Sequence, residues 1–254
     1  VLPLHQVNVK GLAFSNDGKL LATASWDRTV KSIDGQTGEI VNELRGHFAG
    51  VHEIVYSPDG TKLATAAADF SVNLWDANNV AKENSLISKN NIFAFSNDAK
   101  TFVGWNNGNL EINAWDLNQK QKIWSAKTEI RSFSNDISID GRFVVFGERD
   151  GFVSLFHTAD GRQISRFQTH PQSIYAIKFS VDGSKIFTLQ EDGFFQVIDS
   201  EKETVLYSNK LHSNIAKTLA VSPNGKFIAT GSNDKALKIL DANTFQEKFV
   251  FNSS

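Results

Sequence analysis

The stretch HFAGVHEIVYSPDGTKLATAAADFSVNLWD, residues 47–76, decides the fold. At its centre stands Tyr56-Ser57-Pro58-Asp59-Gly60: an apolar residue, a small hydroxyl, a variable position, then Asp-Gly. That order is the chemistry of a tight turn, in which Asp bonds its own backbone and Gly supplies a positive φ. The same turn recurs as FSNDG from Phe14, FSNDA from Phe95, ISIDG from Ile137, FSVDG from Phe179 and VSPNG from Val221. Successive starts are 42, 39, 42, 42 and 42 residues apart, a period that marks a repeat architecture.

Each turn closes a hairpin. The run that follows, Lys19–Ser25 or Arg142–Gly147 for example, carries enough Val, Phe, Thr and Leu for a largely buried strand. Thirteen residues beyond each motif start lie Asp27, Asp69, Asp150, Asp192 and Asp234, with Gly108 in that place in the third copy, so a second turn follows at a fixed offset. A third strand ends at Ile33-Asp34, Trp75-Asp76, Trp115-Asp116, Phe156-His157, Ile198-Asp199 and Leu240-Asp241. A polar turn then leads to a fourth segment, such as Glu39–Leu44 or Arg162–Phe167, whose charges and alternation suit an outer edge strand. Four strands in about 40 residues make one blade of a β-propeller. The fold class is therefore all-β: a propeller of four-stranded antiparallel blades in a single domain, residues 1–254, with repeats near 5–46, 47–86, 87–127, 128–169, 170–211 and 212–254. Helical periodicity is absent, which excludes βαβ units and a parallel sheet.

Period, turn motif and the two literal Trp-Asp endings together resemble the WD-repeat propeller family over essentially the whole chain. The resemblance implies a hydrogen-bonded set of four in each blade: a His before the first strand, a Ser or Thr in the second, the turn Asp, and a Trp closing the third. His5, His47, His170 and His212 each stand nine residues before a motif start, the family's His position. The first copy offers His5, Ser25 and Asp27 but Ile33 for Trp. The second offers His47, Asp69 and Trp75 but Ala67 for the hydroxyl, and the sixth offers His212, Ser232 and Asp234, then Leu240. On this reading no copy keeps all four. The fifth contributes His170 and Asp192 and the fourth Asp150, while Leu86 and Thr128 replace the His of the third and fourth. Packing of apolar side chains must then carry most of the stability.

The family pattern also sets an expectation for closure. Residues 1–4 read as the fourth strand of a preceding blade and Phe245–Phe251 as the fourth strand of the sixth. A seven-bladed parent is the expectation, needing about 30 residues beyond Ser254, with a closed six-bladed ring as the alternative. A chain that starts at Val1 and has no Met fits a recognition domain cut from a larger multidomain protein; by fold analogy, a signalling ATPase with a propeller receptor is one such parent.

Charge and composition narrow the function. The 26 Lys+Arg against 28 Asp+Glu give a net charge of −2, without the basic excess that a phosphate-backbone binder needs, so nucleic acid is not the default partner. No run approaches the roughly 18 apolar residues of a membrane span and no signal core opens the chain, so membrane insertion is not expected. The absence of Cys excludes disulfides, thiolate metal sites and Cys nucleophiles, and fits a reducing, cytoplasmic compartment. His47 and His52 stand five apart beside Glu53, which is not a recognised ligand spacing. The turn aspartates recur in the repeat, and a repeated residue has a repeated structural duty rather than a catalytic one. No phosphate-cradling, Gly-x-Ser-x-Gly or His-Glu-x-x-His motif occurs, and Asn252-Ser253-Ser254 is a chance-level glycosylation match.

These readings call for no cofactor, no metal and no catalytic residue. They point to a scaffold or sensor that binds a protein or peptide partner, or other domains of its own parent, at one end of the propeller. A hydrolase- or lactonase-like enzyme using the central channel is the competing class. By the resemblance, the turns between second and third strands and the connections into first strands share that binding end. Trp26 there precedes Asp27, Phe70 follows Asp69, and Phe194 lies two residues after Asp192; Phe48, His52 and Tyr175 sit on the incoming connections. Arg149 and Glu191 add charge that sets specificity. Trp26, Phe48, His52, Arg149, Tyr175 and Glu191 are accordingly the expected partner-binding set, with Trp124 expected on the outer edge, away from it.

Overall fold

The turns form as their residues require. In the second repeat the Gly60 N–H donates to the Ser57 carbonyl at 2.8 Å, and the Asp59 carboxylate accepts the Thr61 N–H at 3.0 Å. The Ser57 hydroxyl donates to Asp59 and accepts the Lys62 N–H. Ser15 with Asp17, Ser138 with Asp140, Ser180 with Asp182 and Ser222 with Asn224 repeat this arrangement. The computed structural model describes residues 4–252 except 16, 70, 78–81, 87–89, 97–98, 107–109, 118, 120 and 129–130, with the backbone alone for 82–86 and 90–93. Phe70, Gly108 and residues 1–3 of the expected leading strand lie outside the described residues.

Twenty-four strands follow in six antiparallel sheets, with no helix among the described residues. The first sheet is β1 (Val9–Phe14), β2 (Leu20–Ser25), β3 (Thr29–Asp34) and β4 (Ile40–Arg45); the second is β5 (Val51–Tyr56), β6 (Lys62–Ala67), β7 (Val72–Asp76) and β8 (Lys82–Leu86). The third holds β9 (Asn90–Phe95), β10 (Thr101–Asn106), β11 (Glu111–Asp116) and β12 (Gln121–Lys127). The fourth holds β13 (Ser132–Ile137), β14 (Phe143–Glu148), β15 (Phe152–His157) and β16 (Gln163–Gln168). The fifth holds β17 (Ile174–Phe179), β18 (Lys185–Gln190), β19 (Phe194–Asp199) and β20 (Val205–Lys210). The sixth holds β21 (Ala216–Val221), β22 (Phe227–Ser232), β23 (Ala236–Asp241) and β24 (Glu247–Asn252). Each sheet is a four-stranded blade whose strands lie side by side in chain order, the all-β propeller architecture the period predicts.

The chain forms two compact units, the first ending at Gln121 and the second beginning at Lys122. In each, the core lies between successive sheets. In the first unit, Ala22, Ala24 and Val30 pack against Ile54, Tyr56, Leu63 and Trp75, and Ala64, Ala66 and Leu74 against Phe95, Phe102 and Trp115. In the second, Val145, Val153 and Leu155 meet Ile174, Ile177, Phe179 and Ile198, and Phe187, Leu189, Phe195 and Val197 meet Ala216, Leu219, Ile228 and Leu240. Burying one such side chain the size of Leu or Phe contributes about 1.5–3 kcal/mol.

One irregularity repeats in all six sheets. Pairing of the first strand with the second slips by one residue at Lys10, His52, Asn91, Phe133, Tyr175 and Lys217, each four residues before its turn motif. A β-bulge leaves one residue unpaired, bends the strand and re-aims the side chain.

Candidate functional site

The turn aspartates tie the loops at this end of the blades to the strands. The Asp27 carboxylate accepts the Thr29 N–H at 2.9 Å, the Thr29 hydroxyl, the Gln6 N–H at 3.2 Å and His5 Nδ1–H at 2.8 Å. Asp69 takes the Phe48 N–H at 2.7 Å, the Ser71 N–H at 2.9 Å and His47 Nδ1 at 3.3 Å; Asp234 takes the Ser213 N–H at 3.0 Å and His212 Nδ1 at 3.0 Å. Burial pushes the Asp69 carboxyl up, but the donated hydrogen bonds and His47 outweigh it and hold it at about 2, and Asp234 is held at about 2 in the same way.

The hydroxyl of the network is not the one the sequence suggests. With Nδ1–H on the carboxylate, His5, His47 and His212 turn Nε2 to the hydroxyls of Thr23, Thr65 and Thr230 at 2.8, 2.7 and 2.9 Å. These threonines lie two residues before Ser25, Ala67 and Ser232, on the same face of the strand. Ser25 instead donates to the carbonyls of Val7 and Asn8, and Ser232 to those of Asn214 and Ile215, so both fasten the incoming connection. The second blade therefore keeps all four members, since Trp75 Nε1–H donates to Thr65 at 2.9 Å.

The fifth and fourth blades depart from this network. His170 stands 3.7 Å from Asp192, beyond hydrogen-bond reach, and lies over the Phe194 ring at 5.0 Å. Gln190 takes over only the contact with the strand hydroxyl, donating to Thr188 at 2.8 Å, and it also donates to Gln196 at 2.9 Å. In the fourth blade a buried Glu148 accepts the Ser154 hydroxyl and the fork of Arg166, which also reaches Asp150 at 3.3 Å and lies 3.8 Å over the Phe152 ring. Gly151, at φ 78°, fits here because a Cβ would stand 1.5 Å from the His170 carbonyl oxygen.

Above this framework lie the residues expected to bind a partner. In the first unit Trp26 is 56% exposed, with its backbone and ring against Gly50 and Lys10 Nζ 5.5 Å over the ring. Phe48 is 88% exposed, while its N–H is held by Asp69. His52 is half-buried at the bulge, and burial lowers its pKa against the opposing pull of the Ala67 backbone and Asp69. In the second unit Tyr175 is within electrostatic reach of Glu191 and Arg149; burial raises its hydroxyl pKa, Glu191 raises it further and Arg149 opposes. The structure adds residues that sequence reading missed. Phe133 stacks on Tyr175 at 5.1 Å and 14°, and Lys217 Nζ stands 5.9 Å over the same ring, a row built from the bulge residues of three successive blades. Their common offset of four residues before the turn motif was the signal that would have found them. Trp124 lies on the edge strand β12, as expected, and is held there: its Nε1–H donates to the Thr158 carbonyl at 2.7 Å and its ring covers Gly161. Among the described residues no three His, Cys, Asp or Glu side chains come together to hold a metal, and no helix is long and apolar enough to cross a membrane.

The comparisons with known proteins agree with the repeat. The family profile described as "WD domain, G-beta repeat" matches residues 1–34, 38–76, 161–199 and 203–241, more than half of the chain. The stretch it passes over holds most of the third and fourth repeats, the two in which Leu86 and Thr128 replace the network His. Eukaryotic translation initiation factor 3 subunit I of Aspergillus oryzae is 23% identical over 262 residues, covering 96% of this chain and 78% of that protein. Autophagy-related protein 16 of Arabidopsis thaliana is 21% identical, covering 92% of this chain and 48% of its own. Apoptotic protease-activating factor 1 of Mus musculus is 26% identical over 159 residues, 62% of this chain and 12% of that protein. With the repeat, the blades and the His–Thr–Asp networks in hand, the chain belongs to the WD40 repeat family.

Proposed function

We propose that this chain is a non-catalytic interaction module of the cytoplasm that binds a protein or peptide partner through the bulges and turns at the Asp ends of its blades. The observation that carries the reading is the row Phe133, Tyr175 and Lys217, with the charges of Arg149 and Glu191 acting on Tyr175. Aromatic rings on a rigid framework bury large area at low entropic expense, and the charges beside them select a partner. The names of its relatives, a translation initiation factor subunit among them, suit a component of multiprotein assemblies. Nucleic acid is not the proposed partner.

The test is a pull-down with the chain as bait, followed by affinity measurement on any partner captured. Tyr175→Ala and Arg149→Ala in the second unit, and Trp26→Ala in the first, are compared with Leu206→Ala on the exposed outer strand β20. Truncation of an anchor is expected to weaken binding by about 1–4 kcal/mol, and Leu206→Ala to leave it unchanged. Loss with Leu206→Ala alone would transfer the interface to the blade edge.

A further inference from the structure

The closures reached by β12, β16 and β20 differ at the strand ends opposite the turn aspartates. Eight residues after the end of the third strand come Trp124, Ser165 and Tyr207 on successive fourth strands. Four residues after it comes a left-handed turn position: Gly161 at φ 71°, Glu203 at φ 57° and Phe245 at φ 58° in the fourth, fifth and sixth blades. Each of these donates its N–H back to the strand end at 2.8–2.9 Å. In the first, Trp124 lies on Gly161, where a Cβ would stand 2.4 Å from the ring. In the third, Tyr207 packs on Phe245 at 5.1 Å, and Phe245 also meets Phe187 and Phe195. In the middle groove, between the fourth and fifth blades, the matching pair is Ser165 and Glu203. No aromatic ring closes it.

The consequence is an open groove of about 590 Å³, against about 300 Å³ for the corresponding groove between the fifth and sixth blades. Its floor is Phe143, Leu155, Ile164 and Phe179. Its rim carries Asp140, Asp182, Glu201 and Glu203; Arg142 pairs with Asp140 and Lys185 acts on Asp182. The Glu201 and Glu203 carboxylates have no side-chain partner among the described residues, and Ser165 Oγ is buried without a hydrogen bond. An apolar slot that sister grooves fill with an aromatic ring, rimmed by unpaired negative charge, is complementary to an aromatic side chain beside a cation.

We infer that this groove is a second docking site, and that it takes an extended segment of a partner protein carrying an aromatic residue next to Lys or Arg. The ring enters the place that Phe245 and Tyr207 fill in the next groove, and the cation meets Glu203 and Glu201. The site lies at the opposite strand ends from Asp150 and Asp192, so its failure leaves the proposed binding end untouched.

The experiment is an NMR titration of the methyl-labelled chain with three capped peptides: Lys-Trp-Lys, Lys-Ser-Lys and Glu-Trp-Glu. Lys-Trp-Lys is expected to shift the methyls of Leu155 and Ile164 in a saturable way, and the other two to bind at least tenfold more weakly. Ser165→Tyr combined with Glu203→Phe rebuilds the closing pair of the next groove and is expected to weaken Lys-Trp-Lys at least tenfold. Should that double variant fail to fold, Glu203→Gln decides: it is expected to bind Lys-Trp-Lys severalfold more weakly with Glu-Trp-Glu unimpaired. Equal binding of all three peptides, shifts confined to other methyls, or undiminished binding by the closed or Glu203→Gln variant would overturn the proposal.

Discussion

Thr65 carries two buried hydrogen bonds at once, one with His47 Nε2 and one from Trp75 Nε1–H. Thr65→Val keeps the shape and strips both, so urea denaturation is expected to show a loss of about 1–3 kcal/mol, the penalty for buried polar groups left unpaired. Ala67→Ser, which supplies a hydroxyl where the sequence suggested one was missing, is expected to bring no gain. The sequence could not choose between the two positions, because residues two apart on a strand share a face; only the reach of the His ring decides. Asp69 makes a pH prediction. Its carboxyl, held at about 2 against an ordinary 3.8, keeps its charge better folded than unfolded. It therefore stabilises the fold fully above the unfolded pKa, and that contribution is lost as pH falls through the folded one. Calorimetry is expected to show Asp69→Asn melting below the parent at pH 7, with the gap closing between about pH 4 and 2. A gap unchanged at pH 2 would deny the charge its role.

At the scale of the element, the fourth blade shows what a sheet does without the His. Glu148, with its side chain 5% exposed, stands where Ser25 and Ser232 stand in their own blades, and it is neutralised by Arg166 across the intervening strand β15. Arg166→Met leaves that carboxylate buried without a countercharge, with only the Ser154 hydroxyl on it, a change expected to lower stability by about 3 kcal/mol. The double variant Arg166→Met, Glu148→Leu is expected to be more stable than the single one, because both charges leave together; a double variant less stable than Arg166→Met would show that the pair is not coupled this way. Turn motifs such as Tyr56–Gly60 were legible because their chemistry is local, and the strands between them followed from apolar content and spacing. The pairing of Glu148 with Arg166 was not, since the two lie 18 residues apart and meet only once three strands are in register. The bulges at Phe133 and Tyr175 are a property of how two strands pair, so neither strand alone spells them; only their shared offset from the turn motif, compared across repeats, marks the positions.

For the whole molecule, exposed apolar surface gathers on two strands. Val9, Leu12 and Phe14 on β1, and Phe249, Val250 and Phe251 on β24, are all exposed, and open strand edges with apolar side chains invite association. Sedimentation velocity is expected to show self-association rising with concentration, and Leu12→Lys with Phe249→Lys to suppress it; association undiminished in that variant would place the sticky surface elsewhere. The strict chain order of strands within each sheet has a further consequence, for how the protein is made. Every blade is completed by about 40 consecutive residues, which lets sheets form one after another during synthesis. The hazard of such a chain is mistaken identity, a strand settling into its counterpart one repeat away, since the turns are nearly alike. The closures of successive blades differ, Trp124 on Gly161, Ser165 by Glu203, Tyr207 on Phe245, and so act as labels: a blade seated beside the wrong neighbour meets a clash or a void where its own neighbour offers a fit.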